Sequence, residues 1–322
     1  MTDKTIEMII KEYALSDVPS QYVSSDEEPM TQRECAAAFG DQAVERSFAT
    51  AWAGAQQRVG ESLPRVHQVL PGLARGDLGL IAGGDGVGKT TLSLALAMNV
   101  AAGRDLFRLG ANLYKQSVAR KVVFLGLDES SDDYTRRVNT LLERAVYVEQ
   151  PRPWLNRNLL VQTLPKGDAS LMRIAETLSS LPAAGHNPDL IVLDSLSRIN
   201  PGIDVENGKE LGAAIHALAV VGQNIGASII LTQGMKASAL KLNTKQHATA
   251  AMGSTALPDQ CSWQLNLAPA AGPVVGLVRV HNTKSCQDRF RAMTVQMRAG
   301  GVTRYVPPLP RDSLGRFVPD RV

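Results

Sequence analysis

Apolar residues fall along this chain in two alternating rhythms. Short apolar runs, Leu78 to Ala82, Lys121 to Leu127, near Leu159 to Thr163, Asp189 to Ser195 and Ser228 to Thr232, read as strands, Lys121 to Leu127 buried on both faces and Asp189 to Ser195 central. Between them, apolar groups recur at helical spacing over Thr91 to Ala102, through Val138, Leu141 and Leu142, over Leu171 to Leu181 and from Gly208 to Asn224. A strand followed by a helix, repeated, predicts an α/β fold: a mostly parallel sheet with helices on both faces. Cys261 to Leu267, Val274 to His281, Arg289 to Arg298 and Val302 to Val306 read instead as strands joined by short Gly/Pro turns. Together these four predict an antiparallel extension at the C-terminus.

Ahead of the first strand the pattern is weaker. Residues 4–14 place apolar groups near helical spacing, and Val18 to Thr31 is a linker rich in Ser, Pro and acids. Ala36, Phe39, Val44, Phe48 and Trp52 then form a stripe expected of one or two amphipathic helices. The stripe fits core packing or docking onto a neighbouring subunit. The expected partition is therefore 1–66 as a helical extension and linker, 67–306 as the main domain, and 307–322 as an extended Pro- and Arg-rich tail.

Composition supports a folded chain: 322 residues at 44% hydrophobic content can bury one large α/β core with an appendage. Cys35, Cys261 and Cys286 are too few and scattered for a disulfide framework or a zinc site, which favours a reducing cytoplasmic setting. No basic segment leads into an apolar one at the start, and no apolar run approaches membrane-spanning length, so no membrane role is expected. The net charge of +3 hides an asymmetry. Residues 1–60 carry five Lys/Arg against ten Asp/Glu, whereas residues 270–322 carry nine against three. An acidic partner such as nucleic acid, a solvated face and head-to-tail subunit packing all fit that split.

The candidate chemistry begins at Gly83-Gly84-Asp85-Gly86-Val87-Gly88-Lys89-Thr90, followed by Thr91, a full match to the phosphate-binding loop G-x-x-x-x-G-K-[ST]. A strand precedes it and a helix follows, as the motif requires. Backbone N–H groups must converge on phosphates unobstructed, hence the glycines, and the helix N-terminus adds about half a positive charge. Lys89 is placed to reach the β- and γ-phosphates, and the Thr90 hydroxyl to ligate Mg2+. The chain is expected to bind a nucleoside triphosphate, ATP, with magnesium.

Three further stretches join the loop. Asp194 ends Leu190-Ile191-Val192-Leu193-Asp194, the Walker B pattern of a central strand delivering one carboxylate to the metal. Asp128 and Glu129 open the acidic run Asp128-Glu129-Ser130-Ser131-Asp132-Asp133, where a ligand edge or a helix cap are both consistent. From Gly234 to Pro258 there is no acid, while Lys236, Lys241, Lys245 and His247 occur among small polar residues. This reads as a basic loop, either simply solvated or contacting a phosphate backbone such as single-stranded DNA.

With these motifs in order, residues 69–306 resemble the RecA-like ATPases, and within them the hexameric RepA replicative helicases of broad-host-range plasmids. The likeness rests on Val-Leu-Pro-Gly-Leu-Ala-Arg-Gly-Asp-Leu-Gly at 69–79, the phosphate loop, Leu-Ile-Val-Leu-Asp-Ser-Leu-Ser-Arg at 190–198, Gly-Ser-Thr at 253–255 and Val-Arg-Val-His-Asn-Thr-Lys at 278–284. The resemblance implies a RecA-like P-loop core, a homo-oligomeric and hexameric ring, and work on single-stranded DNA. It implies a water-orienting carboxylate at Asp128 or Glu129, with the longer reach of glutamate favouring Glu129. It also implies a γ-phosphate sensor at Gln233 and, at Lys284, a basic group reaching a neighbour's nucleotide. One departure stands out: the family's finger arginine precedes a tryptophan, and here Ser262 precedes Trp263. Arg279, Arg289 and Arg291 are the candidate substitutes.

The chain has no Asn-Lys-x-Asp guanine reader and no Leu-Ser-Gly-Gly-Gln transporter signature. Two functions therefore stand: an ATP-dependent DNA motor, and a regulatory or loader ATPase that uses ATP binding as an assembly switch and hydrolyses slowly. Motif order favours the first. The missing finger and the acidic N-terminal extension favour the second.

Overall fold

A computed structural model of the protein describes residues 67–115, 118–145, 153–164, 170–196, 208–235, 256–270, 276–285, 292–298 and 301–306. All lie within one compact unit, Val66–Val322. The expectations for residues 1–66, for the basic loop with Lys236, Lys241 and Lys245, for Gly-Ser-Thr at 253–255, for Arg289 and Arg291, and for the tail lie outside the described residues.

The strands are β1 (Gln68–Leu70), β2 (Leu73–Ala74), β3 (Leu78–Gly83), β4 (Val122–Gly126), β5 (Leu159–Thr163), β6 (Leu190–Asp194), β7 (Ser228–Gly234), β8 (Trp263–Pro269), β9 (Leu277–Lys284), β10 (Met293–Arg298) and β11 (Gly301–Val306). The helices are α1 (Lys89–Ala102), α2 (Ser131–Arg144), α3 (Pro153–Asn158), α4 (Leu171–Ser180), α5 (Gly208–Ile225) and α6 (Ala256–Gln260). Nine strands form one sheet in the order β11-β10-β9-β8-β3-β7-β6-β4-β5, and β1 and β2 form a separate small hairpin. From β8 to β5 every pairing is parallel. The β8–β9, β9–β10 and β10–β11 pairings are antiparallel.

This corrects one expectation. The segment from Cys261 was read as part of the antiparallel extension, but β8 runs parallel to β3, with Gly79 opposite Trp263 and Gly83 opposite Leu267. The extension starts only at β9. Short α6 between β7 and β8 belongs to the crossover that a parallel return requires.

Alternation along the central strands sorts side chains into two cores. In β6, Leu190 and Val192 join α1 and α2 on one face, with Phe124, Ile81, Ile230, Leu265 and Leu267. Ile191 and Leu193 join Leu80, Ala82, Ile229 and Leu231 on the other, against Ile174 and Leu178 of α4 and Ile215 and Leu218 of α5. Helix α1 is buried from Leu92 to Ala101 without interruption, which explains its run of small and apolar residues. Helix α2 is amphipathic and buries Tyr134, Val138, Leu141 and Leu142. Its start is fixed by Ser130 and Asp133, each side chain accepting from the other's backbone N–H in a capping box.

Candidate active site

The phosphate loop leaves β3 at the C-terminal edge of the sheet and enters α1. Gly88, the residue before the helix, has φ +101, and a Cβ there would lie 2.1 Å from the Met297 sulfur, so only glycine fits. Gly86 also has positive φ, at +69, and faces open space. No side chain caps α1, and its first turn holds no acid, so its leading N–H groups face the loop without a carboxylate of their own. Lys89 turns back over the loop and donates to the carbonyls of Gly83 at 3.0 Å and Gly84 at 3.1 Å. Burial holds its ammonium below the usual lysine range, while the charges of Asp85, Asp194 and Asp128 act against that shift.

Asp194 lies at the end of β6 and is almost fully buried. Burial pushes its carboxyl above the usual carboxylate range, and hydrogen bonds from Thr232, Thr90 and Tyr134 oppose the shift. Thr232 donates to Oδ1 at 2.5 Å. Tyr134 directs its hydroxyl at Oδ2 and at the Asp194 main-chain oxygen, both at 3.1 Å. Thr90, the loop's own hydroxyl, is thus joined to the carboxylate at the end of the second strand over. A hydroxyl and a carboxylate are hard oxygen donors, the set that magnesium takes when phosphates and water supply the rest. The residues present fit that ion.

The acidic run after β4 divides into separate tasks. Leu127 donates its N–H to the Asp194 carbonyl at 2.6 Å, which brings the next residue to the sheet edge beside the loop. The charge of Asp128 is felt at Lys89 and Asp194, and those of Glu129 and, less strongly, Asp128 at Tyr134. Glu129 turns aside: Arg137, two turns along α2, grips both its oxygens, with Nε 2.6 Å from Oε2 and NH2 on Oε1. Asp133 serves the helix cap and pairs with Arg136. Capping and a ligand edge therefore coexist within six residues.

Gln233 is buried on β7, where it pairs with Ala82, while Gly234 pairs with Gly83. It thus stands beside the first residue of the phosphate loop. Lys284 does not. It is in register with Gln264, which is level with Leu80, and its Nζ donates to the carbonyls of Pro258 and, at 3.5 Å, Asp259. Ser262, in the finger position, donates to the Leu78 carbonyl at 3.3 Å, at the N-terminal end of β3. Arg279 is exposed on β9 opposite Ala268, one residue beyond the level of Gly83.

Residues 44–234, more than half of the chain, match the family model described as an AAA domain. The chain belongs to the AAA domain family. Its fold is also that of the "ATPase Domain of G40P", with a TM-score of 0.54 at 11% identity, over 82% of this chain and 99% of that one. The AAA domain is an ATPase with a RecA-like arrangement: the phosphate-loop strand β3 and the Asp194 strand β6 flank β7, and β4 follows on the far side of β6. Three neighbours of Asp194 escaped the motif reading. Thr232 carried a signal, a hydroxyl within an apolar strand just before Gln233. Tyr134 and Arg137 carried none, since both read as ordinary positions of an amphipathic helix.

Proposed function

We propose that this AAA domain drives a DNA motor of the RepA type, a ring of like subunits that moves on single-stranded DNA using ATP. The observation that carries the reading is Gln233: it is paired beside the root of the phosphate loop, and the chain runs from it directly into the acid-free stretch with Lys236, Lys241 and Lys245. A side chain that distinguishes the γ-phosphate is thereby linked by a few residues to groups that neutralise a phosphate backbone.

Within one subunit, Lys89 exchanges its two loop carbonyls for the β- and γ-phosphates, and the N–H groups at the start of α1 hold them. Thr90 and Asp194 would hold magnesium, which would supply charge neutralisation at those phosphates. The geometry supports Asp128 over Glu129 as the carboxylate that orients the attacking water. Both Glu129 oxygens are held by Arg137 in an ion pair, and the charge of Asp128 reaches Lys89 and Asp194, the groups at the phosphate loop. Reach favours glutamate, and the position of Asp128 beside the charges of the loop favours aspartate.

A second reading, a slowly hydrolysing loader or assembly switch, is favoured by Ser262 and Lys284. Both are engaged with main-chain carbonyls where the family offers cationic groups to a neighbour. A finger contributes several orders of magnitude in rate. Measuring ATP turnover with and without single-stranded DNA, alongside strand unwinding, separates the two. A motor shows DNA-stimulated turnover and unwinding, whereas a switch shows ATP-dependent DNA or partner binding with slow, unstimulated turnover.

A further inference from the structure

Tyr134 has no part in the phosphate-loop motifs, yet it is wholly buried and its hydroxyl reaches the Asp194 carboxylate from 60 residues away in sequence. Packing alone does not call for that hydroxyl. The ring lies 5.5 Å from the Phe124 ring and fills the space over Gly126, where a Cβ would sit 2.1 Å from Tyr134 Cε2. A phenylalanine would occupy the same space. A buried hydroxyl is costly without a partner, so its presence is explained by what it bonds.

What it bonds is the second oxygen of a carboxylate whose first oxygen is already held. Thr232 fixes Oδ1 at 2.5 Å, and with that bond alone the carboxylate can still swing about it. Tyr134 shares its single hydroxyl proton between Oδ2 and the main-chain oxygen of the same residue, each 3.1 Å away, and so restrains the rotation of the group at the end of β6. The Thr90 hydroxyl of the phosphate loop also hydrogen-bonds this carboxylate. Tyr134 also belongs to the helix that carries Arg137, so the clasp on Glu129 and the lock on Asp194 are borne by one rigid element.

We propose that Tyr134 is a positioning residue for the metal-holding carboxylate: its hydroxyl fixes the rotation of Asp194 and thereby sets how strongly a divalent ion assists nucleotide binding. The proposal rests on the reading of Asp194 as a metal-holding residue. Partners of this kind typically contribute 10- to 100-fold to metal affinity.

The test uses the full chain and a fluorescent ATP analogue, with affinity measured in excess Mg2+ or Mn2+ and again in chelator. The quantity compared is the ratio of the two affinities, which an unfolded fraction does not change. Tyr134→Phe keeps the ring and should lower that ratio by about tenfold, with chelator affinity unchanged. Half-saturation of turnover by Mg2+ should rise by a similar factor, and kcat at saturating metal should stay near wild type. Asp194→Asn, measured in parallel, should abolish the metal effect. If Asp194→Asn abolishes it and Tyr134→Phe leaves the ratio unchanged, the positioning role is overturned and the metal reading stands. Equal loss with and without metal in Tyr134→Phe would also overturn it, as a purely structural effect. An intact metal effect in Asp194→Asn would overturn the metal reading and the proposal with it.

Discussion

Replacing Gly126 with alanine adds a single methyl group at the end of β4, where the backbone is not left-handed and alanine fits without strain. The new Cβ would lie 2.1, 2.5 and 2.7 Å from Cε2, Cζ and Cδ2 of Tyr134. Carbon atoms pack at about 3.5–4.0 Å, so the ring must retreat by more than ~1 Å. It has nowhere to go, since Tyr134 and Phe124 are both 0% exposed. Overpacking of this kind costs ~1–3 kcal/mol, and the reduced freedom of the unfolded chain returns only ~0.4–1. The net loss should be about 1–2 kcal/mol, which for a domain of this size lowers Tm by roughly 2–4 °C per kcal/mol. Thermal melting in chelator measures it. Pairing the change with Tyr134→Leu should recover part of the loss, giving a favourable coupling of about 1 kcal/mol in a double-mutant cycle. A Gly126→Ala variant that melts at or above wild type, or two strictly additive substitutions, would refute the contact.

Other consequences are more direct. Lys89→Ala should abolish ATP turnover while leaving Tm within a few degrees, because its hydrogen bonds are to the loop itself; turnover near wild type would remove Lys89 from the site. Cys261 is buried and its thiol is pushed up to about 12 from 9.0, with Tyr114 and Tyr134 also raised by burial. All three stay protonated in the folded state at pH values where the unfolded chain ionises. Stability should therefore be full below about pH 9 and fall as pH rises, Cys261 alone contributing a loss of ~1.4 kcal/mol one unit above its unfolded value. Urea melts from pH 7 to 10.5, with Cys261→Ser flattening the decline, check the sign. Replacing Lys236, Lys241 and Lys245 together with alanine should weaken single-stranded DNA binding and reduce its log–log salt slope by about two units, from ~0.7 per contact. An unchanged slope would leave the stretch a solvated connection.

Much of the architecture was legible because the central parallel strands are buried on both faces and announce themselves as apolar runs. Leu190–Asp194 coincides with the structure for that reason; Leu159–Thr163 coincides too, although at the edge of the sheet it is only partly buried, with Leu160 exposed. Pairing was less legible. Nothing local in Trp263–Pro269 shows that its neighbour is the phosphate-loop strand, which lies far earlier in sequence, so the change from parallel to antiparallel was placed one strand early. In the site, Lys89, Thr90 and Asp194 were carried by motif spacing. The choice between Asp128 and Glu129 depended on Arg137, a helix residue whose side chain direction no spacing rule supplies. Tyr134 depended on Gly126, a small residue that makes room and leaves no chemical signature.

The role proposed for Asp128, rather than Glu129, at the attacking water can be measured directly. The decisive measurement is single-turnover ATP hydrolysis, with nucleotide affinity measured in parallel, for Asp128→Asn and Glu129→Gln. Asp128→Asn should bind ATP as wild type does and retain it unhydrolysed, with the rate reduced by about 10²-fold or more. Glu129→Gln should keep most of its hydrolysis rate and lose stability through the broken pair with Arg137. The reverse pattern, with Glu129→Gln trapping ATP and Asp128→Asn turning over normally, would contradict it.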